Sequence, residues 1–138
     1  MGEKIAQNDS EQNLMLVLTG VMLFITALMI YYAYWAQTID PIDPLIAQWN
    51  FIQKNKKGKE WQEFEVSCRY SCDICRSAVD YNSKHCLNCN KCVADFDHHC
   101  EFLNNCIGSK NFQYFMKFVA IYNFHTALCI YIEACFIQ

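Results

Sequence analysis

The stretch KHCLNCNKCVADFDHHCEFLNNC, residues 84–106, places most of the potential metal ligands of this chain close together. Just before it, Cys72 and Cys75 form a C-x2-C pair, and the same spacing recurs at Cys86, Cys89 and Cys92. A turn with this spacing can direct two sulfurs to one tetrahedral zinc ion at about 2.3 Å. The spacing therefore predicts a small, loop-rich zinc domain with short β-hairpins.

The donors in this region outnumber the ligands of two zinc sites. From Cys72 to Cys106 the chain has seven cysteines and three histidines, whereas each closed tetrahedral site takes four ligands. One cysteine and one histidine are left over. The order Asp97, His98, Cys100 is the arrangement expected of an orienting carboxylate, a base and a nucleophile. Counting alone does not decide which cysteine and which histidine are spare.

Two apolar segments flank the cysteines. The first, LMLVLTGVMLFITALMIYYAYWA at residues 14–36, has no charged residue and spans roughly 35 Å as a helix, enough to cross a bilayer. The second, FQYFMKFVAIYNFHTALCIYIEACFIQ at residues 112–138, is also apolar enough to span, although it carries Lys117 and Glu133. A cleaved signal peptide fits the first segment poorly, because the residues before it are net acidic and no small-x-small site follows.

The residues between the first apolar segment and the cysteines indicate the compartment. Four lysines lie there, at positions 54, 56, 57 and 59, whereas only Lys4 precedes the segment. Lysine-rich flanks favour the cytosolic side of a membrane. Because cytosolic thiols stay reduced, the cysteines are expected to be metal ligands or nucleophiles and not disulfides.

The same linker predicts one short helix. Asp43 can cap it, Pro44 suits its first position, and Leu45, Trp49 and Ile52 fall on one face. Two interpretations stay open: an interfacial helix on the membrane surface, or a packed connector without lipid contact. No internal repeat is apparent beyond the doubled Ile-Asp-Pro.

The segments CDIC and KHCLNCNKCVADFDHHCEFLNNCIGSKNFQYF resemble the cysteine-rich domain of the DHHC protein S-acyltransferases, or palmitoyltransferases. The resemblance runs from Cys72 to about Phe115. It implies one zinc site formed by Cys72, Cys75, His85 and Cys92, and a second formed by Cys86, Cys89, His99 and Cys106. It also implies three catalytic roles: Cys100 as nucleophile, His98 as general base and Asp97 as the group that orients the base.

The fold class expected is a mainly α membrane protein in which transmembrane helices flank a small cytosolic zinc-binding domain with short β-hairpins. The boundaries expected are an N-terminal tail at 1–13, a transmembrane helix at 14–36, a cytosolic linker at 37–67, the cysteine-rich domain at 68–111 and a second transmembrane helix at 112–138. The resemblance implies a multi-pass protein of the endoplasmic reticulum or Golgi. Its partners would be membrane lipids and membrane-associated proteins that carry a substrate cysteine.

The activity implied is protein S-acyl transfer. A fatty acyl chain, in the family typically palmitoyl, would pass from fatty acyl-CoA through a Cys100 thioester to a cysteine of the substrate protein, with two structural Zn²⁺ ions supporting the domain. Nucleic acid is not an expected partner, because the formal charge of -3 lacks the basic footprint that phosphate binding needs. Glu101 and Phe102 stand where the family usually has Pro-Trp. The alternative is a catalytically impaired, zinc-stabilised membrane adaptor.

Overall fold

Three helices and six short strands make up the described part of the chain. The computed structural model describes residues 2–54 and 70–136. The helices are α1 (Gly2–Thr38), α2 (Pro44–Lys54) and α3 (Phe112–Phe136). The strands are β1 (Ser71–Cys72), β2 (Ser77–Ala78), β3 (Lys84–Cys86), β4 (Lys91–Val93), β5 (His98–Cys100) and β6 (Asn105–Ile107). Lys56, Lys57 and Lys59 lie outside the described residues, as do residues 68 and 69 and the side chain of Ile52.

The two long helices, α1 and α3, pack against each other. Each contains a segment long and apolar enough to cross a membrane, at 9–38 and 112–135. Tyr114 of α3 packs against Tyr32 and Trp35 of α1, with ring centroids 6.5 and 6.2 Å apart. Most large apolar side chains on the outside of the pair are exposed. Helix α1 begins at Gly2 and so includes residues that precede the predicted spanning segment.

Three antiparallel hairpins, β1–β2, β3–β4 and β5–β6, form the region between the helices. They are copies of one unit, since Cys72, Cys86 and Cys100 occupy equivalent strand positions at intervals of 14 residues. Each turn ends on a left-handed residue: Arg76 (φ 50°), Asn90 (φ 50°) and Asn104 (φ 47°). The expectation that the chain has no such repeat was wrong: the His-Cys pairs at 85–86 and 99–100 and the cysteines at 92 and 106 also recur at this interval.

Helix α2 packs against the first hairpin. It begins at Pro44, and the Asp43 carboxylate caps it by accepting a hydrogen bond from the Leu45 amide at 2.8 Å, as the sequence predicted. Its most buried described side chain is Ile46, which packs with Val79 and Cys92. The predicted apolar face omitted Ile46, because the hairpins approach the helix from a direction that periodicity alone does not specify.

The segment between α1 and α2 ties the hairpins to the end of α1. Ile42 forms an antiparallel bridge with Val93 of β4. The Asp43 amide donates to the Cys92 carbonyl at 3.0 Å, and the Ala94 amide donates to the Pro41 carbonyl at 3.2 Å. The hairpin region is therefore held directly against the helix pair.

Candidate active site and metal centres

The first cluster of metal-binding side chains joins the first and second hairpins. Cys72 and Cys75 come from the β1–β2 hairpin, and His85 and Cys92 lie opposite each other across the β3–β4 hairpin. The His85 Nδ1 atom lies 3.2 Å from the Cys75 sulfur and 3.8 Å from the sulfurs of Cys72 and Cys92. The Cys75 and Cys92 sulfurs are 3.5 Å apart.

The second cluster repeats this arrangement one hairpin further along. Cys86 and Cys89 come from the second hairpin, and His99 and Cys106 lie opposite each other across β5 and β6. The His99 Nδ1 atom lies 3.3, 3.7 and 3.6 Å from the sulfurs of Cys89, Cys86 and Cys106. The structure thus brings together the two sets of four side chains that the family resemblance implied.

Both clusters have the dimensions of a tetrahedral zinc site. Four ligands at about 2.0–2.3 Å from a zinc ion are roughly 3.3–3.8 Å from one another, and the distances above fall within or very close to this interval. A Cys3His donor set is common in structural zinc sites, and it leaves no coordination position for substrate. The residues present therefore fit zinc, which would link successive hairpins covalently in a region with little apolar core.

The protonation of the sulfurs also favours a cation in each cluster. Burial would raise the pKa of Cys72, but hydrogen bonds from the backbone amides of Cys75 and Ile74 and from neighbouring thiols outweigh it, so its pKa lies below the ordinary value. The pKa of Cys86 lies below its ordinary value for the same reason. Burial and then the adjacent sulfurs raise the pKa of Cys92. Without a positive ion the thiolates of one cluster cannot all be charged together.

The third hairpin departs from the first two at its second sulfur. Cys100 occupies the position of the first knuckle cysteines, Cys72 and Cys86, but Leu103 stands where Cys75 and Cys89 stand. Leu103 is buried in an apolar cluster with Cys100, Ala36 and Ile107. Within the described hairpin residues, Cys100 is the one cysteine that belongs to neither metal cluster.

Strand β5 sends its two histidines in different directions. Side chains alternate along a strand, so His98 and Cys100 share a face while His99 points to the second metal cluster. The Asp97 carboxylate accepts a hydrogen bond from His98 Nδ1 at 2.8 Å, which leaves Nε2 as the basic nitrogen. Among the described residues no hydrogen bond reaches the Cys100 thiol. Catalytic contacts of this kind often form only when substrate is bound.

An apolar cleft opens beside Cys100. Its volume is about 370 Å³, and side chains of α3 line much of it. Phe115 packs edge to face on the His98 ring, with centroids 5.1 Å apart, and Phe102 is almost fully exposed at the rim. The lining residues are His98, Cys100, Phe102, Phe115, Phe118, Val119 and Tyr122. The four residues from α3 were not singled out from the sequence, because apolar residues occur all along this segment.

Comparisons with known proteins point to one family. The model of the DHHC palmitoyltransferase family matches residues 65–138. The chain is similar to Palmitoyltransferase swf1 of Schizosaccharomyces pombe, with 31% identity over 118 residues, or 86% of this chain and 31% of that protein. It is 37% identical over 90 residues to Palmitoyltransferase ZDHHC17 of Homo sapiens, covering 64% of this chain and 14% of that protein. It is 46% identical over 57 residues to Palmitoyltransferase AKR1 of Mortierella alpina, covering 41% and 10%. The chain thus spans 10% to 31% of the length of these curated relatives.

Proposed function

The chain belongs to the DHHC palmitoyltransferase family, and from this premise we propose that it is a protein S-acyltransferase with Cys100 as its nucleophile. One observation carries the proposal. Cys100 lies outside both metal clusters and at the edge of an apolar cleft, so its sulfur is available for chemistry where an acyl chain can lie. Asp97 and His98 complete the site as orienting group and base.

The first half of the reaction forms an acyl-enzyme. His98 Nε2 takes the proton of the Cys100 thiol, and the thiolate attacks the thioester carbonyl of a fatty acyl-CoA. The bond from the carbonyl carbon to the CoA sulfur breaks, and the departing thiolate receives the proton from His98. Asp97 stabilises the imidazolium that exists between these two transfers.

The second half repeats the exchange with another thiol. A cysteine of the substrate protein gives its proton to His98 and attacks the Cys100 thioester, and the enzyme thiol is restored. One thioester is exchanged for another in each half, so the reaction needs no further energy source. Cys72, Cys75, His85 and Cys92 would hold one zinc ion, and Cys86, Cys89, His99 and Cys106 the other. These ions would supply rigidity and not a nucleophile.

The acyl chain is proposed to lie in the cleft along α3. Phe115, Phe118 and Val119 offer apolar surface that continues from Cys100 down the helix, and each buried methylene contributes about 0.8 kcal/mol. Such a cleft favours a long-chain donor such as palmitoyl-CoA. It also favours substrate cysteines that lie close to the membrane surface.

The helix pair supports a location in a membrane. We propose that α1 and α3 both span it, with the hairpins on the cytosolic side, where the thiols stay reduced. Membrane lipids and membrane-associated proteins are then the partners. The endoplasmic reticulum or Golgi is the proposed compartment.

The direct test is acylation of the full chain in lipid nanodiscs supplied with palmitoyl-CoA. Hydroxylamine-labile label at Cys100 is expected, and Cys100→Ala should abolish it with two zinc ions retained. His98→Asn should slow label formation by about 10²- to 10⁴-fold, the usual contribution of a general base. Cys135→Ser, at an exposed cysteine outside both clusters, is the matched control. A chain with two zinc ions and no Cys100-dependent label would instead be the adaptor.

A further inference from the structure

Two buried asparagines lie where the third hairpin meets the end of α1. Asn111 has no exposed surface, and Asn105 is 6% exposed. Asn105 belongs to β6 and is paired directly with Cys100 across the hairpin. Asn111 precedes the first residue of α3. A buried amide needs partners for all its polar atoms, so its contacts report what it holds in place.

The Asn105 amide nitrogen covers the carboxyl end of α1. The last carbonyls of a helix have no donor within the helix and must be satisfied from outside. Asn105 Nδ2 lies 3.3 Å from the Ala36 oxygen, 2.9 Å from the Gln37 oxygen and 2.9 Å from the Ile39 oxygen. The cap of α1 therefore comes from a strand that is distant in sequence.

Asn111 also joins the end of α1 to the backbone of β6. Its Nδ2 atom donates to the Ala36 oxygen at 2.9 Å and to the Cys106 oxygen at 2.8 Å. Its Oδ1 atom accepts from the Gly108 amide at 2.9 Å. The Asn105 Oδ1 atom accepts from the Cys106 amide at 2.9 Å. Both asparagines thus connect the helix end to the backbone of β6.

We infer that Asn105 and Asn111 are positioning residues that set the depth of Cys100 relative to the helix pair. The inference rests on the proposed function, because depth matters when an acyl chain lies along α3 and its thioester must meet the Cys100 sulfur. Neither amide touches substrate. They act by holding β6, and through it the paired residue Cys100, against the last turn of α1, with Ala36 and Cys100 in one buried cluster.

The test measures the accessibility of Cys100 directly. The full chain in phosphatidylcholine nanodiscs is treated with a sulfonated maleimide or with N-ethylmaleimide, and modification of Cys100 is followed by mass spectrometry. Asn105→Leu removes the donors without adding charge, and Asn105→Ser keeps one short donor. Asn50→Leu, at an exposed asparagine of α2, is the control.

The expected result is a graded loosening of the hairpin. In the wild type, Cys100 is 8% exposed and should react slowly with the charged reagent. In Asn105→Leu, the ratio of the labelling rate with the charged reagent to the rate with N-ethylmaleimide should rise about tenfold, as expected from losing a buried hydrogen bond. Both zinc ions should be retained. Asn105→Ser should fall between, and Asn50→Leu should match the wild type. Dependence of acylation rate on donor length, from dodecanoyl- to stearoyl-CoA, should flatten in Asn105→Leu.

Two results would overturn the inference. One is an Asn105→Leu chain with two zinc ions and an unchanged ratio of Cys100 labelling rates. The other is loss of zinc from both Asn105 variants while Asn50→Leu keeps it, because the amide would then maintain the whole domain and not the depth of one thiol. Labelling needs no turnover, so a wild type that fails to acylate would refute the proposed function and leave the labelling result to judge this inference.

Discussion

The doubled Ile-Asp-Pro allows one aspartate to be tested against its neighbour. Asp43 is fully buried, and its carboxylate accepts hydrogen bonds from the Leu45 amide at 2.8 Å, the Asp80 amide at 2.7 Å and the Ser83 hydroxyl at 2.6 Å. In Asp43→Asn, an NH2 group must face one of these donors. The loss of a charge-assisted bond and an unpaired buried donor together cost about 2–4 kcal/mol.

Asp40 is the matched control, because the same change there removes an exposed contact. Its side chain is 59% exposed and pairs with Lys91 at 2.6 Å. Burial opposes its charge, but hydrogen bonds from Lys91 and the Ile42 amide outweigh this, so the pKa of Asp40 is lowered. That stabilisation is present above the ordinary pKa of the carboxyl and is lost as pH falls through the lowered value. Asp40→Asn should cost about 0–1 kcal/mol at neutral pH.

The effect of Asp43→Asn should appear at one zinc site. Asp80 and Ser83 lie between the ligands Cys75 and His85, and the Asp43 amide bonds to the carbonyl of Cys92. Zinc binding and folding of such a site share one free energy. A cost of about 2–4 kcal/mol therefore weakens the apparent zinc affinity by roughly 30- to 700-fold.

The measurement is competition with a chromogenic chelator at neutral pH. The first cluster should release its zinc first in Asp43→Asn, while the second cluster and the Asp40→Asn chain should remain close to wild type. Equal shifts for the two aspartates, or a shift below about threefold for Asp43→Asn, would refute the reasoning from burial and hydrogen bonding.

Three further predictions use the same preparations. Gly108→Ala should destabilise the third hairpin by about 1–3 kcal/mol, because an added Cβ would lie 2.5 Å from two atoms, whereas Gly20→Ala has open space; equal chelator midpoints for both would contradict this. Leu103→Cys places a second thiol beside Cys100 but should still leave two Co²⁺ ions per chain, because no described hairpin follows the third to supply the histidine and cysteine that complete a cluster; a third Co²⁺ ion with thiolate charge-transfer absorption would contradict this. His125→Leu removes a 3.1 Å bond to Thr26 between α1 and α3 and should weaken helix pairing by about 1 kcal/mol, seen as earlier unfolding in an SDS titration; an unchanged titration would count against it.

The features that could be predicted from sequence are those that single residue types specify. Long apolar runs predicted two long helices, and Asp43 with Pro44 predicted the start of α2. The ligand sets were implied by a resemblance and not by counting, since counting left the spare residues undecided. The structure then brought those same sets of side chains together.

The features that escaped prediction depend on backbone atoms. Asn105 and Asn111 act through carbonyl oxygens at the end of α1. The sequence does not show which backbone carbonyl a side chain will reach. The burial of Ile46 depends on where the first hairpin lies. In the sequence, the cleft residues of α3 resemble the other apolar residues of this long helix, and only the position of the third hairpin distinguishes them.

The repeat of three hairpins explains why the proposed nucleophile can lie beside two candidate metal clusters without belonging to either of them. Each candidate metal cluster takes two sulfurs from one hairpin and a histidine and cysteine from the next hairpin along the chain. At the third hairpin, Leu103 replaces the second sulfur and is buried with Cys100. The Cys100 thiol therefore keeps the strand position of the ligands Cys72 and Cys86, and His99 and Cys106 would anchor its hairpin, yet it has no second sulfur with which to hold an ion. A rigid, uncoordinated thiol next to an imidazole is what the proposed acyl transfer requires.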